Sequence, residues 1–293
     1  MPITSTAKAR LITCIEAAGS ERGEWLTGAC AAQRSAPADD LADTVSLHWA
    51  MARRRLGAEP LPGGHDEPLD DLDTSRWSVG DAGRVVLLLD ALEGAAEAAL
   101  PLVRAVYRAG DEAERAALVR ALALLQPPAA YRDIALEAGR ANSLLLFGAL
   151  AERNPYPAAV YTEPEFNQLV LKCIFTGISI ANVVGLETRA NAELARMAED
   201  FHDERCAAGR PVPPDMWLAM APHGSARARR LVFERLTHDD PAHRYFAAAA
   251  LGWHTSTDAH AADALRAAAA GESDARVRAT MQASLALTAP QPD

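Results

Sequence analysis

Hydrophobic residues recur every three to four positions along most of this chain, the period of helices that bury one face. Leu11, Ile12 and Ile15 form one such stripe near the start, and Leu41, Val45 and Trp49 form a second. The second lies in DDLADTVSLHWAMARRRLG, which opens on Asp39 or Asp40 as a cap, gathers Arg53, Arg54 and Arg55 at its end and stops at Gly57. Acid first, base last and glycine beyond suit the helix dipole and its unpaired terminal carbonyls. From Asp81 onward helices are predicted to follow one another with short breaks, through Asp90, Ala109, Leu125 and Leu150.

The pattern fails over residues 58–75, AEPLPGGHDEPLDDLDTS. This stretch carries six acidic residues, no basic ones, three prolines and two glycines. It is read as an exposed, mobile loop that folding does not need, with Trp77 pinning its far end.

A loose internal repeat follows. Asp111, Arg115 and Leu122 recur as Asp240, Arg244 and Leu251, and again as Asp274, Arg278 and Leu285, the last two copies 34 residues apart. In each, the Asp is expected to cap a helix, the Arg one turn on to pair with it, and the Leu to face a neighbouring hairpin. A repeat of this length resembles stacked helical hairpins of the HEAT type.

Between these plainer regions, ERNPYPAAVYTEPEFNQLVLKCIFTGISIANVVGLETRAN (152–191) changes vocabulary to prolines, tyrosines and asparagines. Pro155 and Pro157 drive Asn154 and Tyr156 towards extended backbone, so the preceding helix must end near Glu152. Thr162 can cap a new helix, with Glu165 returning the capping-box bond. Phe166, Leu169, Val170, Cys173 and Ile174 form its buried stripe, and Gly177 ends it. Glu165, Gln168 and Lys172 fall on the other face, with Asn167 at the margin. Asn191 caps the next helix, which is expected to bury Leu194, Met197 and Phe201.

Composition narrows the class. The 293 residues are 49% hydrophobic but only 5% aromatic, which suits a helical core of Ala, Leu and Val. A net charge of −10 argues against nucleic-acid partners and against docking on anionic lipid. The four cysteines Cys14, Cys30, Cys173 and Cys206 are scattered, as reduced thiols in a cytoplasmic protein would be. The N-terminus has no uninterrupted apolar core, so no signal peptide is expected, and no stretch approaches a membrane span.

Chemical motifs are sparse. No glycine-rich phosphate loop, nucleophile elbow or HExxH is present. His202 and Cys206 stand at helical i, i+4 spacing with Asp203 and Glu204 beside them, but two ligands do not make a zinc site. The C-terminal histidines His238, His243, His254 and His260 lack the His-Glu dyads of di-iron HEAT hydroxylases. Arg227, Arg229 and Arg230 open a basic helix that reads as a solvated face. No metal and no cofactor is expected.

The segment ERNPYP…DMWL resembles the central part of the EboA family, the first protein of a bacterial operon described as handling metabolite traffic. The resemblance spans roughly residues 150–220. It rests on Arg153-Asn154-Pro155-Tyr156-Pro157, Glu165-Phe166-Asn167-Gln168, Lys172, Gly185-Leu186-Glu187, Arg189-Ala190-Asn191, Asp203-Glu204-Arg205 and Gly209-Arg210. In such operons the neighbours resemble a prenyltransferase, a TatD-like hydrolase and sugar-processing enzymes. The resemblance therefore implies assembly or export of a lipid-linked or cyclitol-like small molecule, and it brings no catalytic residues with it.

The reading is thus an all-α protein of stacked antiparallel helical hairpins, with HEAT-like α-solenoid character above all in the C-terminal third. Its regions are helices over 1–57, the loop 58–75, hairpins over 76–150, the distinctive segment 151–220 and repeats over 221–289, in one continuous domain. It is expected to help a secondary metabolite along without chemistry of its own, binding either an anionic or lipid-linked small molecule or proteins of the same operon. The ligand-binding candidates are Arg153, Asn154, Tyr156, Tyr161, Asn167, Gln168, Lys172, Glu187, Arg189 and Arg210. One alternative is an isomerase or hydrolase using Lys172, Tyr161 or Glu187 as acid or base and Arg189 or Arg210 to hold a phosphate. The other is a HEAT-type scaffold that binds a protein on its concave face.

Overall fold

An Ala- and Leu-rich chain with single-faced stripes can bury those stripes only by laying helix on helix. The computed structural model describes residues 3–64, 72–94, 98–221, 223–253 and 259–286. Among the described residues there are seventeen α-helices and no strand, with one isolated bridge between Pro60 and Ser78. The chain divides into two compact units, the first running to Tyr161 and the second from Thr162. The division falls inside the distinctive segment.

The first unit holds α1 (Ile3–Ala17), α2 (Ser20–Ser35), α3 (Leu41–Leu56), α4 (Val79–Gly94), α5 (Ala99–Ala109), α6 (Glu112–Ala121), α7 (Arg132–Arg140), α8 (Leu144–Ala151) and α9 (Tyr156–Val160). Its core is α4, which packs against α1, α2, α3 and α6. Every residue of α4 from Val79 to Ala91 is buried except Asp81, as a helix apolar on all sides must be. Two charges go in with it. Arg84 donates to the Trp49 carbonyl (3.0 Å) and pairs with Glu114, while Asp90 pairs with Lys8 and Arg34.

Glycine lets α3 and α4 meet. A Cβ on Gly80 would stand 2.7 Å from the Gly57 carbonyl oxygen and 3.0 Å from the Arg53 Cα, and one on Gly83 would overlap Leu56. Gly83→Ala and Gly80→Ala are each expected to destabilise the unit by about 1–3 kcal/mol. Gly80→Ala should cost more, because backbone cannot rotate away as Leu56 can. Urea denaturation measures both, and a Gly80→Ala midpoint equal to that of the parent would contradict this packing.

The flanks of the 58–75 stretch are docked, contrary to the exposed loop expected of its composition. Leu61, Leu72 and Thr74 are buried, and Trp77 is buried as foreseen. Leu61 donates to the Trp77 carbonyl (2.9 Å) and Val79 to that of Glu59 (3.0 Å), so the two arms pair with each other. Two leucines spaced eleven residues apart anchor the two ends of the stretch. Residues 65–71 of that stretch lie outside the described residues.

The second unit holds α10 (Glu163–Thr176), α11 (Leu186–Arg189), α12 (Ala192–Ala207), α13 (Trp217–Met220), α14 (Ala226–Glu234), α15 (Pro241–Gly252), α16 (Ala259–Gly271) and α17 (Ala275–Ala286). The short, wholly buried α13 packs against α12 and α15, and α17 packs on α15. In α10 the predicted stripe is buried from Phe166 to Ile174, and Gly177 closes the helix in the left-handed region at φ 78°. In α12 the buried set is Leu194, Ala195, Ala198 and His202, with Met197 and Phe201 only half-buried, so its packed face is turned from the one expected.

Capping differs from expectation in two places. Asp40 precedes α3 without a side-chain cap bond, because a turn of 3₁₀ helix over Ala38–Asp40 leads into it. In the repeat the aspartates do cap: Asp111 accepts from Glu114 N–H (2.8 Å), Asp240 from Ala242 N–H (2.8 Å) and Asp274 from Arg276 N–H (2.9 Å). The arginines do not pair with them. Arg115 donates to the carbonyls of Tyr107 and Arg108, Arg244 to those of His238 and Asp239, and Arg278 to that of Glu272. The aspartate lone pairs are taken by helix N–H groups, and a forked guanidinium reaches back to carbonyls that the preceding turn leaves open.

Candidate functional site

The turn Arg153-Asn154-Pro155-Tyr156-Pro157 is built from its buried amide. Asn154 Nδ2 donates to the carbonyls of Val119 (3.1 Å) and Ala149 (3.0 Å), and its Oδ1 accepts from Tyr156 N–H (3.0 Å). All of that amide's principal bonds are thus spent on holding α6, α8 and α9 together. Tyr156 is buried and its hydroxyl donates to the Pro128 carbonyl (2.7 Å); burial raises its pKa. Tyr156 also opens α9 rather than staying extended. With Pro157 in the first turn, the missing N–H is one that would have no helical partner anyway.

This geometry forces Arg153 into the left-handed region at φ 55°, the one positive φ among described residues other than glycine. Such a backbone costs an ordinary residue about 1–2 kcal/mol, and strain of this kind concentrates at functional positions. Arg153 Nη1 donates to Asp73 Oδ2, while its buried Nε has no partner. Asp73 is also held by Ser75 N–H (2.8 Å). Burial alone would raise the Asp73 pKa, but the bonds from Ser75 and Arg153 bring it below the usual carboxylate range.

Arg153 and Asn154 line a cleft of about 120 Å³ in the first unit. Its floor is apolar, with buried Leu72, Trp77 and Ala149. Leu144 and Leu145, at the start of α8, lie at its edge 56% and 46% exposed. Its charged lining is Arg76, Arg120 and Arg153 against Asp73 and Glu152. Arg76 pairs with Glu152 at 2.8 Å, whereas among the described residues Arg120 has only a long contact of 3.6 Å with Asp81, a carboxylate that Arg84 shares. A second, more open groove beside Asp111, Arg115 and Arg140 is a seam whose Asp111 and Arg115 are engaged in capping.

The remaining candidates divide between the units. In the first, Tyr161 is buried with its hydroxyl beside Gly139. In the second, Asn167 is buried rather than marginal: it exchanges side-chain hydrogen bonds with Asn191 (3.1 and 2.9 Å), while Asn191 Oδ1 caps α12 through Leu194 N–H. The Arg189 guanidinium lies over the Phe166 ring, 4.8 Å from its centre, and the Arg189 carbonyl accepts from Asn191. Asn167, Asn191, Arg189 and Phe166 knit the entry of α12. Lys172 is half-buried, which lowers its pKa, and Gln168, Glu187 and Arg210 are exposed. None of the second-unit candidates lines either cleft.

The weighed metal motifs also have structural occupations. Cys206 Sγ is 3.7 and 4.0 Å from the two ring nitrogens of His202, long contacts rather than a shared ligand geometry. His202 Nδ1 approaches Asp203 (3.1 Å), and Asp203 is gripped by both terminal nitrogens of Arg227, whose bonds bring its pKa to about 2. Trp217 Nε1–H donates to His243 Nδ1 (2.9 Å), and His238 accepts from Asp240 N–H (3.0 Å). His254 lies outside the described residues. Among the described residues no three His, Cys, Asp or Glu side chains form a group able to hold a metal.

Of the candidates read from the sequence, Arg153 and Asn154 lie on this cleft; Trp77, expected only to pin the loop, lines it too, as do Arg76, Arg120, Leu144 and Leu145, which the sequence did not single out. The one available signal was the Leu144-Leu145-Leu146-Phe147 run, which has more apolar residues than one helix face can bury.

Two family comparisons match. Residues 69–221 are similar to the family described as metabolite traffic protein EboA, beginning well before the segment that carries the visible motifs. Residues 216–286 are similar to HEAT repeats, in keeping with the repeat read from the sequence. No curated protein and no solved structure matches the chain.

Proposed function

The chain belongs to the EboA family of metabolite traffic proteins, whose match covers more than half of it, and from that premise we propose that it is a non-enzymatic carrier that holds a small metabolite in the first-unit cleft. The observation that carries this reading is Arg153, kept in a strained backbone conformation at the lip of a cleft with an apolar floor. Strain of this kind concentrates at functional positions, which supports a task for the side chain. The cleft offers no paired acid and base around a reacting atom, which suits capture and release rather than turnover. No helix among the described residues is long and apolar enough to cross a membrane, so a carrier of this kind would hand its cargo to other proteins. The HEAT-like hairpins favour a second, compatible role, the docking of such a partner.

Arg153→Gly tests the cleft directly. Glycine adopts φ 55° without penalty, so the substitution removes the guanidinium and relieves the backbone together. The lost pair with Asp73 is half-exposed and worth about 1 kcal/mol or less. The melting temperature should stay within a few degrees, while complementation of a deletion strain, read as metabolite export or accumulation, should fail. Full complementation by this variant would overturn the cleft as the carrier site.

A further inference from the structure

Resting on the cleft as the carrier site, we propose that its ligand is an amphiphile with a single phosphate or carboxylate head, and that Asp73 is the internal competitor this head displaces from Arg153. The charge balance comes first. Three arginines line the cleft against two carboxylates, and the third, Arg120, reaches only as far as Asp81 outside the lining, at 3.6 Å. The guanidinium donors are also under-used among the described residues: Arg120 has only its 3.6 Å contact with a shared carboxylate, and Arg153 Nε is buried without a partner. Guanidinium forks match the oxygens of phosphate and carboxylate, and a neutral ligand would leave them unmatched.

Size and polarity supply the rest. The cleft is small, about 120 Å³, and is matched to a head group rather than to the body of a larger molecule. The body of the molecule must then leave the cleft across Leu144 and Leu145, two large aliphatic side chains that are otherwise spent on solvent. Asp73 is built to yield. When Oδ2 releases Arg153, Oδ1 keeps its bond from Ser75 N–H, so the displaced carboxylate stays supported. Such a head is supplied either by a dissolved amphiphile or by a lipid in a bilayer. The net charge of −10 repels the chain from an anionic surface and favours the dissolved source.

The test titrates the full chain with hexyl phosphate, hexanoate and neutral hexanol, following the Trp77 indole N–H signal by NMR. The two anions should bind in a saturable, salt-weakened manner and hexanol at least tenfold more weakly. Asp73→Asn should tighten hexyl phosphate roughly fivefold, and Arg120→Gln should weaken it about tenfold. Co-sedimentation with phosphatidylcholine vesicles carrying phosphatidic acid separates the sources. Binding to vesicles that Arg120→Gln abolishes assigns the head to a lipid, and hexyl phosphate binding without vesicle binding assigns it to a dissolved molecule; both support the proposal. Hexanol shifting Trp77 as strongly as hexyl phosphate would overturn the anionic head while leaving the cleft as a carrier site. Unchanged affinities in folded Asp73→Asn and Arg120→Gln proteins would overturn it as well.

Discussion

Asp90→Ala is expected to destabilise the first unit by about 3–5 kcal/mol, the cost of removing one partner from a buried ion cluster. The Asp90 side chain is 1% exposed on the core helix α4, where it accepts from Lys8 Nζ (2.6 Å) and from Arg34 Nε and Nη2 (3.0 and 2.9 Å). One carboxylate thereby ties α1 and α2 to α4. Its loss leaves the Lys8 ammonium, itself only 14% exposed, with Glu93 (2.6 Å) as its one remaining carboxylate among the described residues, whereas the largely exposed Arg34 can turn to water. The midpoint of thermal unfolding should fall by roughly 10 °C. Asp90→Leu combined with Lys8→Met removes both buried charges and should recover most of the loss. A shift below about 2 °C for Asp90→Ala would show that the cluster contributes little.

The pH dependence follows. Burial would raise the Asp90 pKa, but bonds from Arg34 and Lys8 outweigh it and hold the group below its ordinary 3.8. Its stabilisation is complete above that unfolded value and lost as pH falls through the lower folded one. Burial would likewise lower the Lys8 pKa, yet Asp90 and Glu93 raise it above 10.5. That contribution is complete below 10.5 and lost only at still higher pH. Nearby Cys30 has its thiol pushed up to about 11 by burial and by the Asp90 charge, so it stays protonated and unreactive at neutral pH.

Glu272→Ala is the second large effect, expected to cost about 3 kcal/mol in the second unit. The Glu272 side chain is 3% exposed and receives both forks of Arg244 (2.8 and 2.9 Å) together with Asp274 N–H (2.8 Å). Its backbone carbonyl accepts from Arg278 (3.0 Å). This residue therefore joins α15 to the connection between α16 and α17 and fixes the stacking of the hairpins. The bonds from Arg244 lower its pKa to about 2. Its contribution is complete above the unfolded value of 4.5 and lost as pH falls towards 2, so acid unfolding of the parent should lose a component that Glu272→Ala lacks. Arg244→Lys should also destabilise, because an ammonium cannot reproduce the fork and the two backbone contacts at once. Equal urea midpoints for Glu272→Ala and the parent would overturn this role.

The helices were legible because periodicity is a local property. The stripe in α10, the caps at Asp111 and Asn191 and the stop at Gly177 each involve residues within a turn or two, where backbone chemistry alone decides. The repeat was legible for the same reason, although its arginines reach back to carbonyls instead of pairing forwards. Asn154 was read as a ligand-binding candidate, and its bond to Val119, thirty-five positions away, was not legible.

What the sequence by itself determined is an all-helical chain with HEAT-like hairpins and a distinctive segment that marks the EboA family. Composition, period and capping residues specify these through contacts between near neighbours. Tertiary structure alone decided which charges are buried, because Lys8 and Arg34 meet Asp90 across 82 and 56 residues. It alone decided the cleft, which gathers side chains from residues 72 to 154 into one concavity. It also placed Arg153 in a left-handed conformation that its residue type would not choose, because the bonds of Asn154 and the packing of Tyr156 fix the turn around it. Long-range packing outweighs local preference wherever the sum of buried contacts exceeds the 1–2 kcal/mol that one strained residue costs.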